Sequence, residues 1–172
     1  MKICMIGTGY VGLVSGVCFA DLGNKVYCVD KNIDKIKKLN NCISPIYEPG
    51  LDELIKKNYV SKRLIFTSNI SKAVNESDLI FICVGTPNKK KSHSVDLKFV
   101  FNAVKAVAKV SNNKKILITK STVPVGTGDQ IEKILRQMKK KNFDVISNPE
   151  FLREGEAIRD FRYPDRIVIG TK

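Results

Sequence analysis

Short apolar runs alternate along this chain with longer segments in which apolar residues recur at helical spacing. The short runs, dominated by Ile, Val, Leu and Phe, predict strands over residues 3–6, 26–29, 64–67, 79–84, 115–120, 143–146 and 166–170. The longer segments predict helices over residues 11–22, 33–39, 51–58, 70–74, 97–110 and 129–140, with a partly helical segment over 151–161. Because strands and helices alternate throughout, the pattern predicts an α/β fold with a doubly wound, mostly parallel sheet.

The first predicted strand ends in a glycine-rich turn, residues 7–12 (GTGYVG), which leads directly into the first predicted helix. Gly7 allows the tight turn, Gly9 lets the backbone approach a pyrophosphate, and Gly12 lets the helix pack closely on the strand. The helix N-terminus then offers N–H groups and a partial positive charge to phosphate oxygens. The turn therefore predicts a dinucleotide site, and the alternative is a glycine-rich turn without a ligand.

The second predicted strand ends on an acid, Asp30. It follows Gly12 by 18 residues, close to the spacing of about 20 that is typical of an acid binding a ribose 2′-hydroxyl. A carboxylate at this position would repel the 2′-phosphate of NADP, so NAD is the expected cofactor. Lys31, beside it, weakens that preference.

The composition is that of a soluble globular domain, with 172 residues, 43% of them hydrophobic and 27% charged. No apolar run reaches the roughly 18 residues of a membrane span, and the N-terminus does not have the pattern of a signal peptide. We therefore expect a cytoplasmic protein without a membrane partner.

The net charge of +13 has two interpretations. One is attraction of nucleic acid or of anionic substrates. The other is a lysine-rich solvated surface, which we favour because no predicted helix carries a basic stripe with interleaved aromatic residues. No nucleic-acid partner is expected.

The cysteine pattern does not predict a metal site. The five cysteines include no C-x-x-C pair, and His93 is the only histidine. Cys4, Cys28 and Cys83 lie in apolar strand runs, where buried thiols in a reducing compartment are expected. His93 lies in a polar loop over residues 88–94 and is expected to be solvated rather than catalytic.

Polar or glycine-rich segments follow five of the predicted strands. They are residues 7–12, Asp30, 85–87, 121–122 and 148–154. In a doubly wound sheet the carboxyl ends of the strands converge on one crevice, so we expect these segments to lie together there.

Five motifs in order resemble those of the UDP-glucose/GDP-mannose 6-dehydrogenase family. They are GTGYVGLVSG at 7–16, IYEPGLDEL at 46–54, FICVGTP at 81–87, KSTVPVGT at 120–127, and NPEFLREGEAIRDF with PDRIVIG within 148–170. The resemblance covers the whole chain and implies a Rossmann-like NAD-binding domain. The NPEFLREG stretch is similar to the UDP-glucose members.

The resemblance implies an enzyme that oxidises the C6 alcohol of UDP-glucose to the carboxylate of UDP-glucuronate. Such enzymes use two NAD, pass two hydrides and form a thioester on a cysteine. The resemblance also implies a role in nucleotide-sugar metabolism and polysaccharide biosynthesis, and a homodimer or higher oligomer for the full-length form.

The resemblance further implies roles for individual residues. Thr122 matches a threonine near the catalytic water, and Glu150 matches the general base that activates this water against the thioester. The implied NAD contacts are Gly7, Thr8, Gly9, Tyr10, Val11, Gly12, Asp30, Lys35, Gly85, Thr86, Pro87, Ser121, Thr122 and Glu154. The implied substrate-binding residues are Glu150, Phe151, Leu152, Arg153 and Glu154. On spacing alone, Glu150 and Glu154 could equally be a solvated i, i+4 pair on a helix.

One departure from the family pattern concerns the nucleophile. The family's cysteine lies in a G-G-x-C-x-x-K-D type motif that these 172 residues do not contain. No cysteine here has the paired histidine that is typical of an activated thiol. We therefore expect residues 1–172 to be the NAD-binding domain without the central helix and the C-terminal UDP-sugar-binding domain. Such a chain would bind NAD without completing UDP-glucose oxidation.

Three other functions are compatible with parts of the sequence. A hydroxyacid-type NAD dehydrogenase would account for the first thirty residues but not for NPEFLREG. A non-catalytic NAD-sensing module would have no need of Thr122 and Glu150. A 6-dehydrogenase acting on another nucleotide sugar would have the same NAD-binding domain.

Overall fold

The chain folds around one six-stranded sheet with helices on both faces. The structure, a computed structural model, describes residues 1–89 and 94–171. Its strands are β1 (Lys2–Ile6), β2 (Lys25–Val29), β3 (Leu64–Thr67), β4 (Leu79–Ile82), β5 (Lys115–Thr119) and β6 (Phe143–Ser147). Its helices are α1 (Tyr10–Asp21), α2 (Ile33–Asn40), α3 (Leu51–Val60), α4 (Ile70–Asn75), α5 (Lys98–Val110), α6 (Thr127–Gln137) and α7 (Ala157–Arg162).

The strand order is β3-β2-β1-β4-β5-β6, and every neighbouring pair is parallel. This is the 3-2-1-4-5-6 order of the doubly wound dinucleotide-binding fold, in which ligands bind outside the carboxyl ends of the strands where the order reverses. Here the reversal lies between β1 and β4. The predicted fold class is confirmed.

Two apolar layers form the core, one on each face of the sheet. Successive strand residues point to opposite faces, so Ile3 and Met5 join one layer while Cys4 and Ile6 join the other. The first layer packs against α1, α2, α3 and α7. The second layer packs against α4, α5 and α6. The unbroken apolar character of β1 follows from this burial on both faces.

The prediction of a strand over 166–170 is wrong. Gly170 forms an isolated antiparallel bridge with Ser147, and the rest of the segment makes no ladder. Ile167 and Ile169 are largely exposed. An apolar run of strand length becomes a strand only where a neighbouring edge is available for pairing, and the run itself does not encode that edge. The partly helical segment predicted over 151–161 is helical only from Ala157.

Asn32 caps α2, as its side chain accepts a hydrogen bond from the Lys35 backbone N–H. Across residues 1–89 and 94–171, no helix has both the length and the apolar character to cross a membrane. His93 and its predicted exposed loop position lie outside the described residues.

Candidate functional site

The loops that follow the strands are held together along the carboxyl edge of the sheet by backbone hydrogen bonds. In each bond, the first residues after one strand donate to the end of a neighbouring strand. These bonds join Asp30 to Thr67, Gly7 to Val29, Cys83 to Ile6, Ser121 to Ile82 and Asn148 to Thr119. The crevice loops predicted from the sequence therefore do meet at one edge.

The glycine turn has no room for side chains at two positions. Gly7 has a φ of +100°, and a Cβ there would lie 2.8 Å from the carbonyl oxygen of Cys83. A Cβ on Gly12 would lie 2.0 Å from the carbonyl oxygen of Gly7. At Gly9, by contrast, a Cβ would meet no atom within 4 Å among the described residues. Gly9 thus faces open space, as expected where a pyrophosphate approaches the backbone.

The N-terminus of α1 is suited to an anion. Gly9 is its N-cap residue, no described side chain caps it, and its first turn carries no acidic residue. The N–H groups and the positive end of the helix dipole are thus available to phosphate oxygens.

Asp30 is bound to the glycine turn. Its Oδ2 accepts hydrogen bonds from the backbone N–H of Thr8 at 3.1 Å, the Thr8 hydroxyl at 2.8 Å and the Lys35 ammonium at 3.1 Å. Its Oδ1 accepts from the Asn32 backbone N–H at 3.0 Å. Burial acts to raise the pKa of Asp30, but hydrogen bonds from Asn32, Thr8 and Lys35 outweigh it and lower that pKa to about 2. The carboxylate therefore stays ionised and fixes the turn to the end of β2.

We expect Asp30→Asn to destabilise the protein by about 2 kcal/mol at pH 7, since one pKa unit corresponds to roughly 1.4 kcal/mol. The folded-state pKa is lowered, so this stabilisation is present above the unfolded pKa of about 4 and is lost as the pH falls toward 2. Urea unfolding of both proteins between pH 7 and pH 2.5 measures the difference between their free energies of unfolding. This difference should become smaller below pH 4. Asp34→Asn, at an exposed carboxylate on α2, is the control. A difference in the free energy of unfolding that does not change with pH would contradict the prediction.

The two lysines near Asp30 have different positions. The Lys35 side chain is half-buried, and its ammonium forms an ion pair with the Asp30 carboxylate. A contact between Lys35 and the cofactor, as predicted, would therefore involve an ammonium that is already paired within the protein. The Lys31 ammonium lies 5.7 Å from the centre of the Phe99 ring.

The loops after β4 and β5 are joined by a serine. The buried Ser121 hydroxyl donates to the Val84 carbonyl oxygen at 2.7 Å. Ser121 therefore positions the 85–87 loop from within the protein. Thr122 and Gly85 are exposed at the crevice, and Thr86 is half-buried.

The segment after β6 carries the two candidate acids. Residues 148–156 are not helical, so the alternative of an i, i+4 pair on a helix face is wrong. Glu150 is half-buried and accepts a hydrogen bond from the Leu152 backbone N–H, whereas Glu154 is exposed. Arg153 binds Asp160 through its side chain and its backbone N–H.

A cavity of about 1140 Å³ opens beside this segment. Its walls include Glu150 and Phe151 from the loop, Lys120 from the end of β5, and Phe19 and Phe161 from α1 and α7. Glu150 thus faces a space large enough for a ligand group, with a lysine on the same wall.

Lys120 is a site residue that the sequence reasoning missed. It is 7% exposed, and its ammonium donates to Asn148 Oδ1 at 3.2 Å. Burial lowers the pKa of this ammonium, while Cys83 and Glu150 act in the opposite direction. The signal in the sequence that could have indicated a buried Lys120 was its position directly at the end of an apolar strand run.

Four of the five cysteines are not suited to nucleophilic attack. All five are free, and four are buried. Burial raises the pKa of the Cys18 and Cys83 thiols to about 12, so neither forms a thiolate readily. Within the described residues, no group of three or more potential ligands is placed to hold a metal ion.

A comparison with known protein families identifies the family to which this site belongs. The family model described as "UDP-glucose/GDP-mannose dehydrogenase family, NAD binding domain" matches residues 1–172. The chain belongs to the UDP-glucose/GDP-mannose dehydrogenase family. Its cofactor is NAD, and the open face of Gly9, the N-terminus of α1 and the ionised Asp30 fit that dinucleotide.

Curated members of the family match the chain over nearly all of its length. UDP-glucose 6-dehydrogenase of Rhizobium meliloti is 54% identical over 172 residues, covering 99% of this chain and 39% of the relative. UDP-glucose 6-dehydrogenase TuaD of Bacillus subtilis is 51% identical, covering 99% of this chain and 37% of the relative. The chain thus spans less than two fifths of the length of these two family members.

Solved structures in the family share the fold. A ternary complex of GDP-mannose dehydrogenase from Pseudomonas aeruginosa superposes with a TM-score of 0.94 at 37% identity, over 100% of this chain and 41% of that one. A UDP-glucose dehydrogenase from Pyrobaculum islandicum superposes with a TM-score of 0.92 at 40% identity, over 98% of this chain and 40% of that one.

Proposed function

We propose that this chain is the NAD-binding part of a UDP-glucose 6-dehydrogenase, acting in UDP-glucuronate formation. The observation that carries this proposal is the identity of 54% and 51% to curated UDP-glucose 6-dehydrogenases. The NPEFLREG stretch, whose first six residues line the cavity, supports the same substrate.

The proposed reaction oxidises the C6 alcohol of UDP-glucose to a carboxylate. It consumes two NAD and one water and yields two NADH and three protons. NAD, when bound, supplies the hydride acceptor. The glycine turn and Asp30 hold its pyrophosphate and ribose, and Gly85, Thr86, Pro87, Thr122 and Glu154 are proposed to contact it further along the crevice.

Glu150 is the proposed general base. A general base needs a carboxylate that can reach a water molecule without being fully solvated. Glu150 meets this requirement because it is half-buried and faces the cavity. Thr122 is proposed to hold the water, and residues 150–154 are proposed to bind the sugar.

The thioester step needs a cysteine nucleophile. Four of the chain's thiols are buried, and none of its five cysteines lies in the family's G-G-x-C-x-x-K-D type motif. We therefore propose that the 172-residue chain binds NAD but does not turn over UDP-glucose alone. The complete enzyme is proposed to be a cytoplasmic homodimer or higher oligomer.

NAD should bind the chain more than about tenfold more tightly than NADP. The physical reason is repulsion between the 2′-phosphate and the Asp30 carboxylate, which stays ionised at neutral pH. Calorimetric titration with each dinucleotide measures the ratio. Lys31→Ala is the control. The sequence suggested that Lys31 weakens the preference for NAD, but its ammonium lies over the Phe99 ring, so we expect the ratio to stay unchanged. Equal affinities for NAD and NADP would contradict the prediction.

A chimera tests the proposed function. This chain would replace the matching N-terminal part of the Rhizobium meliloti UDP-glucose 6-dehydrogenase, and NADH formation would be measured with UDP-glucose. A parallel chimera would use the Pseudomonas aeruginosa GDP-mannose dehydrogenase with GDP-mannose. We expect the first chimera to be active and the second to be weaker relative to its parent. A soluble but inactive first chimera, or the reverse order, would overturn the proposal.

A further inference from the structure

Glu48 is a buried acid in a loop where the sequence suggests a solvated one. It lies in the IYEPGLDEL motif, between two prolines and just before α3, yet it is only 6% exposed. A buried carboxylate requires hydrogen-bond donors to offset its desolvation. The donors to Glu48 show which segments of the fold this motif connects.

Three donors converge on this carboxylate from two distant parts of the chain. The Tyr10 hydroxyl donates to its Oε2, as does the Gly155 backbone N–H at 2.8 Å. The Ile158 backbone N–H donates to its Oε1 at 3.4 Å. The Gly155 N–H also lies 3.1 Å from the Tyr10 hydroxyl oxygen. Glu48 is 38 residues from Tyr10 and 107 residues from Gly155 along the chain.

These donors belong to the two halves of the site. Tyr10 is the first residue of α1, within the glycine turn that holds NAD. Gly155 directly follows Glu154 and ends the turn that carries the candidate acids, with a φ of +89°. A buried side chain that accepts hydrogen bonds from both segments ties them together, because any movement apart would leave its oxygens buried without donors.

We propose that Glu48 is a positioning residue that, through Tyr10, couples NAD binding at the glycine turn to the placement of residues 150–155. The coupling itself rests only on NAD binding; its use in holding Glu150 and Glu154 rests on the function proposed above. A merely structural link would hold residues 150–155 in place equally with and without NAD. Coupling predicts that NAD tightens that segment and that the tightening requires the Tyr10 hydroxyl.

Hydrogen exchange of the Gly155 and Ile158 amides, followed by NMR on the 172-residue chain, tests the coupling. In the unchanged protein, saturating NAD should slow both amides several-fold. In Glu48→Ala, exchange at Gly155 should be about ten- to a hundredfold faster, the range expected for loss of a hydrogen bond to a charged group, and NAD should have no effect. Glu48→Gln keeps an acceptor oxygen and should restore most of the protection.

Tyr10→Phe separates coupling from simple structural support. It removes the contacts of the Tyr10 hydroxyl with Glu48, with the Gly155 N–H at 3.1 Å and with the Arg153 carbonyl oxygen at 3.4 Å, but it leaves the Gly155–Glu48 bond in place. Protection without NAD should therefore stay within about threefold of the original, since loss of the Gly155–Glu48 bond would cost tenfold or more. The NAD-dependent slowing should be lost, although calorimetry should still detect NAD binding. Glu53→Gln, at an exposed acid in the same motif, is the control and should behave as the unchanged protein.

Two results would overturn the inference. One is unchanged exchange at Gly155 in the original chain when calorimetry shows that NAD is bound. The other is NAD-dependent slowing that persists in Tyr10→Phe. Exchange does not depend on turnover, so an inactive chimera with intact coupling would overturn the proposed function alone.

Discussion

Gly12→Ala is expected to destabilise the protein by about 3 kcal/mol or more, and NAD binding should be lost with the fold. Overpacking a well-packed site costs about 1–3 kcal/mol and occasionally more. Here the added Cβ would lie 2.0 Å from the Gly7 carbonyl oxygen and 2.9 Å from the Cys83 Cβ. Neither contact involves the flexible end of a side chain, so relief requires moving α1 away from the sheet. A total stability of about 5–15 kcal/mol leaves little margin for this loss.

Gly9→Ala is the matched control, since it adds the same methyl group three residues earlier. Gly9 has φ −71° and ψ −171°, which alanine adopts readily, and its Cβ would meet no described atom within 4 Å. Stability should change by about 1 kcal/mol or less, because N-cap substitutions typically cost about 1 kcal/mol and Gly9 has no side chain whose capping bond could be lost. NAD affinity should nevertheless fall by more than about tenfold, because the methyl group occupies the pyrophosphate's approach.

Urea unfolding and calorimetry separate these two effects. Gly12→Ala should lower the unfolding midpoint strongly, whereas Gly9→Ala should change mainly the NAD titration. A stable Gly12→Ala protein that binds NAD would contradict the structure of the turn. Unchanged NAD affinity in Gly9→Ala would contradict the placement of the pyrophosphate.

Glu150→Gln in the Rhizobium meliloti chimera is expected to lower turnover by about 10²- to 10⁴-fold, the usual contribution of a general base. Glutamine keeps the shape of the side chain and an acceptor for the Leu152 N–H, but it cannot take a proton. NAD affinity should stay within about twofold, because the glycine turn and Asp30 are untouched. Steady-state NADH formation and calorimetry provide the two measurements.

Glu156→Gln is the matched control for this prediction. Glu156 faces the same cavity, but it is exposed and its carboxylate is 2.7 Å from the Arg153 guanidinium. Its loss should change turnover by less than about threefold, since an exposed ion pair contributes less than about 1 kcal/mol. Equal losses in the two variants would assign the effect to the cavity's charge rather than to a base at Glu150. Turnover above a tenth of the original in Glu150→Gln would also contradict this role.

Much of the fold could be predicted from the sequence, because its signals are local. The run from Ile3 to Ile6 is apolar on both faces, and α5 repeats apolar residues at helical spacing. These patterns record burial directly, so outside 166–170 and 151–156 every predicted element is observed, with ends that differ by at most about three residues. Residues 166–170 also have the apolar composition of a strand, but they form a single bridge to β6 instead of a ladder.

The candidate site could be predicted only in part. The glycine turn and Asp30 have a spacing set by one strand–helix–strand unit, so their positions follow from the sequence. Glu150 was identified by resemblance, and its half-buried position beside a cavity is a property of the fold. Lys120 and Glu48 were not assigned, because a charged residue in a sequence is normally solvated and burial depends on distant neighbours.

The α/β class, the dinucleotide turn and the family of the chain follow from the amino-acid sequence without the structure. Each of these depends on residue order within a motif or on periodicity within an element. Three contacts could be found only in the folded chain: Asp30 binds Thr8 and Lys35, Lys120 is buried beside Asn148, and Glu48 joins Tyr10 to Gly155. These contacts arise because the parallel strand order brings loops from distant positions to one edge. Glu48 and Gly155, for example, are 107 residues apart, a separation at which local sequence patterns carry no information about contact.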